Sequence, residues 1–416
     1  MNPNYILWAI PIFLVTIIAE VIHNYIKNKG KDFNFEDSIT NLNIGIGSQA
    51  VGALTKAMVL IVYVWIYDNF RFLTIEPSWY SVLIAIVAFD YLFYWAHRWG
   101  HEVNFFWGAH IVHHQSEEYN LTVALRQSWF HNLIAFPIFL PIPFLGIDVL
   151  SFAAAAGIVT LYQYWFHTKA INRMPKWFEY IFNSPAHHRV HHATNEKYLD
   201  HNYAGMFIIF DRIHGTFIDE AEDEKCVYGI TTQFGSWNTV WSNFHFYVEM
   251  WKGSKQLKTV KEKLALIVRG PEYLGTLLHQ ISEGGEKTKT TLKKYATETP
   301  LHLKVYVSLQ FLLLTYFLTA YMGALTSLTA FYQVAFFVLI CLSTLSISGI
   351  MENKPWFYIV EIARFLMFVP LYNLCYHDYF SDWFSITLPI SIGISVLFTV
   401  WILGDLYVRK LRPRIA

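Results

Sequence analysis

Charge is what this chain of 416 residues has least of. Only 15% of its residues are Asp, Glu, Lys or Arg, against roughly 25% in soluble proteins, while hydrophobic residues make up 54% and aromatics 18%. The length would suit two or three soluble domains, but this composition excludes an ordinary cytosolic globule and a disordered chain. Formal net charge is zero, so no basic field exists to attract phosphates and nucleic-acid binding is excluded. Cysteine is scarce too. Cys226, Cys341 and Cys375 form no CxxC pair, which excludes a disulfide scaffold and a thiolate metal site. A GxGxxG turn is missing, so the chain is not expected to hold flavin or nicotinamide. What stands out instead is histidine, at 18 copies, most of them clustered.

Apolar runs long enough to cross about 30 Å of hydrocarbon, roughly 20 residues each, lie near 5–26, 40–66, 77–96, 128–147, 149–168, 301–323, 326–348, 356–376 and 384–407. The first lacks a basic n-region and a small-residue cleavage site, so it reads as a span rather than a signal peptide. Pro137, Pro141 and Pro143 crowd the pair 128–168, which is either two spans or a hairpin that enters without fully crossing. The expected fold is therefore all-α, a polytopic membrane bundle of about 7–9 spans. Lys27, Lys29 and Lys31 follow the first run, and Arg409, Lys410, Arg412 and Arg414 follow the last. With the N-terminus outside, every basic segment except Arg71 falls on the cytosolic side, and so do the clustered histidines. Three parts are expected: a membrane domain with its cytosolic cap over 1–251, a polar linker over 252–299, and a four-span domain over 300–416.

The clusters read His97-x-x-x-His101-Glu102, His110-x-x-His113-His114 and His187-His188-x-x-His191-His192. Residues three and four apart share a helix face, so each pattern aims two or more imidazoles at one locus. Ser184 and Pro185 supply a helix start for the third. A lone histidine is usually a packed or interfacial residue, but HxxHH should arise by chance in roughly three of a hundred such sequences, and here it occurs twice. That spacing points to metal ligation. Imidazole suits Zn, Cu, Fe and Ni alike. Eight histidines are too many for one ion, because a catalytic zinc needs only three protein ligands and an open position; two ions sharing the set is the economical reading. HExxH is absent, and of the paired ExxH motifs of soluble di-iron bundles only Glu20-x-x-His23 occurs. Two irons in an all-histidine site open to lipid would suit dioxygen activation. A metal transporter is the alternative, but transporters place their ligands near the bilayer midplane on broken helices.

Asp90–Arg98 (DYLFYWAHR), His113–Leu121 (HHQSEEYNL), Ala124–Ser128 (ALRQS), His167-Thr168, Asn183–His192 (NSPAHHRVHH), Asn202–Gly205 (NYAG), Phe210–Phe217 (FDRIHGTF) and Val227–Ile230 (VYGI) together resemble the fatty acid hydroxylase and sterol desaturase superfamily of membrane di-iron oxygenases. Within it, the loops between the histidines resemble the alkylglycerol (glyceryl-ether) monooxygenase branch. The resemblance covers most of the chain. It implies iron ligation at His97, His101, His110, His113, His114, His188, His191 and His192, with His187 a further member of the site and His167 an additional ligand. Glu102, beside a ligand, would bridge, orient an imidazole or relay a proton. Asp90, two helical turns before His97, would support an imidazole from behind. His131, His201, His214 and His245 fall outside the pattern.

The implied reaction is oxidative cleavage of an ether lipid: dioxygen is activated at two irons, the carbon next to the ether oxygen is hydroxylated, and the hemiacetal collapses to a fatty aldehyde. The implied external electron donor is tetrahydrobiopterin, for which Glu117–Asn120 is a candidate contact. The runner-up is another lipid (a sterol, an acyl chain or an aminolipid) served by a redox protein. The implied setting is a bacterial inner membrane or the endoplasmic reticulum.

Overall fold

The computed structural model describes residues 5–281, 293–379 and 384–411. The centre of the expected linker, 282–292, and the basic residues Arg412 and Arg414 lie outside them. The described residues are helical, with one isolated bridge between Ala193 and Tyr228 and no strand. Seven helices are long and apolar enough to cross a membrane, and the chain is an integral, multi-pass membrane protein. By compactness it divides into two units, 1–236 with 240–296, and 237–239 with 297–416.

The first unit opens with three long helices, α1 (Tyr5–Asn28), α2 (Phe35–Phe70) and α3 (Trp79–Glu102). Asn34 caps α2, its side chain accepting from the Asp37 amide. At 36 residues, or about 54 Å, α2 is longer than a bilayer core requires. Its first turns bury Glu36, Asp37, Thr40, Asn41 and Asn43, so this end is a polar footing for the site rather than lipid-facing surface. Ser78 and Ser81 form a reciprocal capping box that starts α3. That helix continues past the expected end of its span, so His97 and His101 belong to the same rod as Asp90.

α4 (Asn104–His114) follows directly, then the short α5 (Leu121–Ala124). The region read as a pair of spans is a broken hairpin. It comprises α6 (His131–Ala135), a 3-10 turn (Phe136–Phe139), α7 (Pro141–Phe144) and α8 (Val149–Tyr162). Prolines 137, 141 and 143 lack the amide that a continuous helix requires, and the 14 residues of α8 reach only about 21 Å. Apolar side chains of the hairpin, Phe139, Ile142, Phe152 and Ala155, pack against Ala85 and Phe89 of α3 and Tyr63 of α2. The cap holds α9 (Lys176–Ile181), α10 (Pro185–His191) and α11 (Ile209–His214). The stretch read as linker is largely helical where described, in the end of α12 (Thr239–Ser254), in α13 (Val260–Val268), capped by a Thr259–Glu262 box, and in α14 (Pro271–Ile281). Phe246, Met250, Leu266 and Leu274 from these helices enclose Ile111 and Val112 of α4.

The second unit is built from α15 (Leu301–Ala324), α16 (Ala330–Met351), α17 (Phe357–Tyr379) and α18 (Phe384–Leu411). Glu361 and Arg364 meet as a buried pair, with two Arg364 nitrogens donating to the carboxylate at 2.7 and 2.8 Å. Ser346 donates to the same carboxylate, as does Tyr306, and Gln310 accepts from Arg364. Removing one partner of such a pair strands a buried charge. Arg364→Met is therefore expected to lower the stability of detergent-solubilised protein by roughly 3–5 kcal/mol. The double variant Arg364→Met/Glu361→Leu should regain most of that loss, as read from unfolding midpoints.

Candidate metal centre

Nine buried histidines, each 2–8% exposed, gather into two groups. His97, His101, His110, His114 and His191 form one, His113, His167, His188 and His192 the other, and within each the ring nitrogens lie within 4.8 Å of one another. The two HxxHH motifs are used reciprocally. On α4, His110 and His114, one turn apart, face the first group while His113 faces the second. On α10 and its C-cap, His188 and His192 face the second group while His191 returns to the first. A residue three positions on is rotated about 60° from the starting one, so one short helix serves two adjacent points.

The outward nitrogens are committed. Nδ1 of His97 stands 2.6 Å from the Tyr203 carbonyl, Nδ1 of His191 3.0 Å from that of His201, Nδ1 of His113 2.9 Å from that of Arg126, and Nδ1 of His167 2.8 Å from that of Gln163. His101 presents Nδ1 to Asp200 at 3.4 Å. A carbonyl only accepts, so each of those four Nδ1 atoms carries the proton and the Nε2 lone pair points inward. Nε2 of His97, His101 and His191 is buried with no partner among the described residues. Nε2 of His113 and of His167 stand 3.3 Å apart, although neither has a proton to share. Burial pushes the His113 imidazole down to about 4, against the opposing pull of the Arg126 carbonyl. Burial likewise holds His110, His114, His167, His188, His191 and His192 well below the ordinary range. Neutral lone pairs converging at about 3 Å repel unless a cation lies between them, and nitrogens bound at about 2.0–2.1 Å to one ion stand that far apart. The donor set fits a metal.

Two of the four carbonyl supports, those of His201 and Tyr203, come from one loop with no obvious sequence signature. Asp200 and Asn202 adopt left-handed backbone, at φ 59° and 58°, which Asp and Asn tolerate better than most residues. This turns the carbonyls of His201 and Tyr203 toward the imidazoles. Two buried carboxylates hold the loop: Asp211 accepts from the amides of Tyr203 and Ala204 at 2.8 Å, and Asp90 from Met206 at 2.7 Å and Phe207 at 2.8 Å. Gly205 is required because a Cβ there would stand 2.5 Å from Asp90 Oδ1.

A family model described as fatty acid hydroxylase matches residues 82–216, the stretch that carries all nine histidines. Alkylglycerol monooxygenase of Homo sapiens is 32% identical, over 89% of this chain and 83% of that protein. The chain belongs to the fatty acid hydroxylase family. It is a membrane lipid monooxygenase, an oxygen-dependent oxidoreductase. Alkylglycerol monooxygenase of Danio rerio is 36% identical, over 65% of this chain and 60% of that protein. Lathosterol oxidase of Rattus norvegicus is 29% identical, over 34% and 47%. No solved structure matches.

Of the residues singled out from sequence, two do not join either group by side chain, and one acts at a distance. His187 packs its ring against Phe217 at 5.3 Å, and its carbonyl accepts from Asn202. Glu102 is half-exposed and pairs with Arg98 at 2.8 Å. Asp90 touches no imidazole; it positions His97 through the loop that carries the Tyr203 carbonyl. Glu117 and Glu118 of the candidate pterin segment bind the Tyr295 amide and Lys294. Asp200, Asp211 and the four carbonyls were not foreseen. Asp211 lies in the FDRIHGTF run, Arg126 in ALRQS and Tyr203 in NYAG, but a backbone acceptor leaves no trace in residue type.

Two outcomes follow from this geometry. Asp90→Asn replaces an acceptor with a donor facing two amides and should cost about 1.5–3 kcal/mol of stability, read as a lowered unfolding midpoint. The His113 imidazole has a lower pKa folded than unfolded. The unfolded chain therefore binds more protons between pH 6.5 and about 4, and stability present at neutral pH is lost as pH falls through that window. A pH series of unfolding midpoints on metal-free protein checks this; a flat profile would mean that the imidazoles remain accessible to water.

Proposed function

We propose that the nine histidines hold two iron ions, and that the chain hydroxylates alkylglycerols at the carbon next to the ether oxygen. The observation that carries this reading is the His113–His167 contact, two inward lone pairs with both outer nitrogens already donating to carbonyls. Imidazole is compatible with several metals; membership of the fatty acid hydroxylase family favours iron. Two groups of five and four nitrogens match two ions rather than one. Once bound, the irons supply the redox chemistry that activates dioxygen.

The chain's own part is to hold and orient. Carbonyls at Tyr203, Arg126, Gln163 and His201 fix tautomer and ring direction, Asp90 and Asp211 keep their loop in place, and burial excludes water. His187 and Glu102 lie outside the proposed ligand set. Hydroxylation would yield a hemiacetal, which collapses to a fatty aldehyde and a glycerol derivative. Similarity to alkylglycerol monooxygenase over most of both chains supports the ether-lipid substrate. Electrons would come from outside the chain, with tetrahydrobiopterin the first donor to test. The similarity to lathosterol oxidase supports a second reading, a sterol or other lipid served by a redox protein. The basic segments after α1 and along 252–269 favour a site facing the cytosol, in a bacterial inner membrane or the endoplasmic reticulum.

Metal analysis of detergent-purified protein grown with ample iron should give about two irons per chain, and His113→Ala and His191→Ala should each carry markedly less. With an alkylglycerol and tetrahydrobiopterin, the loaded protein should consume dioxygen and release one fatty aldehyde per dioxygen. Iron-loaded protein that oxidises sterols but leaves alkylglycerols untouched would favour the second reading.

A further inference from the structure

His131 falls outside the histidine motifs and belongs to neither nitrogen group. It nevertheless stands at the edge of the first. Its ring centroid is 5.6 Å from that of His110. Unlike most of the nine, its side chain makes no hydrogen bond among the described residues, and it is only half-buried. A partly exposed imidazole that makes no side-chain hydrogen bond within the described residues has donor and acceptor capacity to offer.

Its place in the fold says to what. His131 begins α6, at the point where the apolar hairpin 131–162 meets α4. Beyond it the hairpin is apolar: Leu133, Ile134, Phe136 and Ile138 are partly exposed, and Ala135 and Phe139 pack into the cluster shared with α3. A lipid whose reacting carbon lies between a long chain and an oxygen-bearing head would lay its chain along the hairpin and bring its oxygen to His131, where the hairpin begins beside His110.

We propose that His131 is a substrate-contacting residue that hydrogen-bonds an oxygen of the lipid head and so sets which carbon faces the first group. This rests on the alkylglycerol reading above. His131 is not a ligand, so its loss leaves the metal in place.

The test is an anaerobic titration of iron-loaded protein with an alkylglycerol, where binding occurs without turnover, followed by steady-state kinetics in air. His131→Leu should keep the wild-type iron content, bind the alkylglycerol about tenfold more weakly and raise KM in parallel, while His131→Gln, which still offers a donor and an acceptor, should stay within about threefold. Equal binding by wild type and His131→Leu would overturn the role of His131 alone. Loss of iron in His131→Leu would also overturn it, showing a ligand or a packing residue instead. Failure of the iron-loaded wild type to bind any alkylglycerol would overturn the substrate reading and this role with it.

Discussion

A buried imidazole has two nitrogens to satisfy, and when the ring is neutral they are of opposite character, one a donor and one an acceptor. Much of the first unit follows from meeting that requirement nine times in one place. Each ring turns a proton-bearing nitrogen outward to an acceptor where one is available, which leaves a lone pair directed inward. Carbonyls serve this purpose well because they cannot donate, and so they decide the tautomer rather than merely tolerate it. The cost is that four carbonyls from separate segments must be withheld from ordinary backbone pairing and aimed at side chains. The loop over 200–207 supplies two of the four with two left-handed residues, one obligatory glycine and two buried carboxylates.

The same requirement reaches into the polar base of α2. Arg126 lends its carbonyl to His113 while its guanidinium, 2% exposed, donates to the Val112 carbonyl, Asn41 and Gln115. Burial pulls this guanidinium down to about 10, and Asp37 opposes the shift. Asp37 in turn accepts from Asn41 and Ser116. Unpaired, either charge would be costly at this depth. Satisfied together, they lock α2, α4 and the turn after α5 into one frame, so that the imidazoles of α4 are held by hydrogen bonds on the side away from the lone pairs. The excess length of α2 serves this frame. The second unit meets a similar requirement by itself, closing Glu361, Arg364, Tyr306, Gln310 and Ser346 on one another.

Much of this was legible in the residues. Apolar runs of the right length marked all seven long helices, since hydrocarbon thickness leaves few alternatives. The proline-crowded pair read ambiguously because hydropathy registers length and apolarity but not breaks in a helix; three missing amides turned it into a hairpin. The histidine motifs identified eight of the nine clustered imidazoles by spacing, and His167 required the family resemblance, because a lone histidine after a span has no periodic partner. His187 misled for the opposite reason: adjacency to a ligand in sequence is a rotation of about 100° in a helix, enough to send its ring to Phe217.

Sequence by itself determined that this is a membrane protein with imidazoles brought together at helix spacing, because hydrophobic length and the 3.6-residue period are properties of a single segment. Only the tertiary structure decided how the imidazoles divide into two groups, which nitrogen of each points inward, and that Asp90 acts through a loop more than a hundred residues away in the chain. Those outcomes depend on backbone carbonyls and on the relative placement of α3, α4 and α10. A carbonyl is the same in every residue, so nothing in the order of side chains records which one will face a histidine.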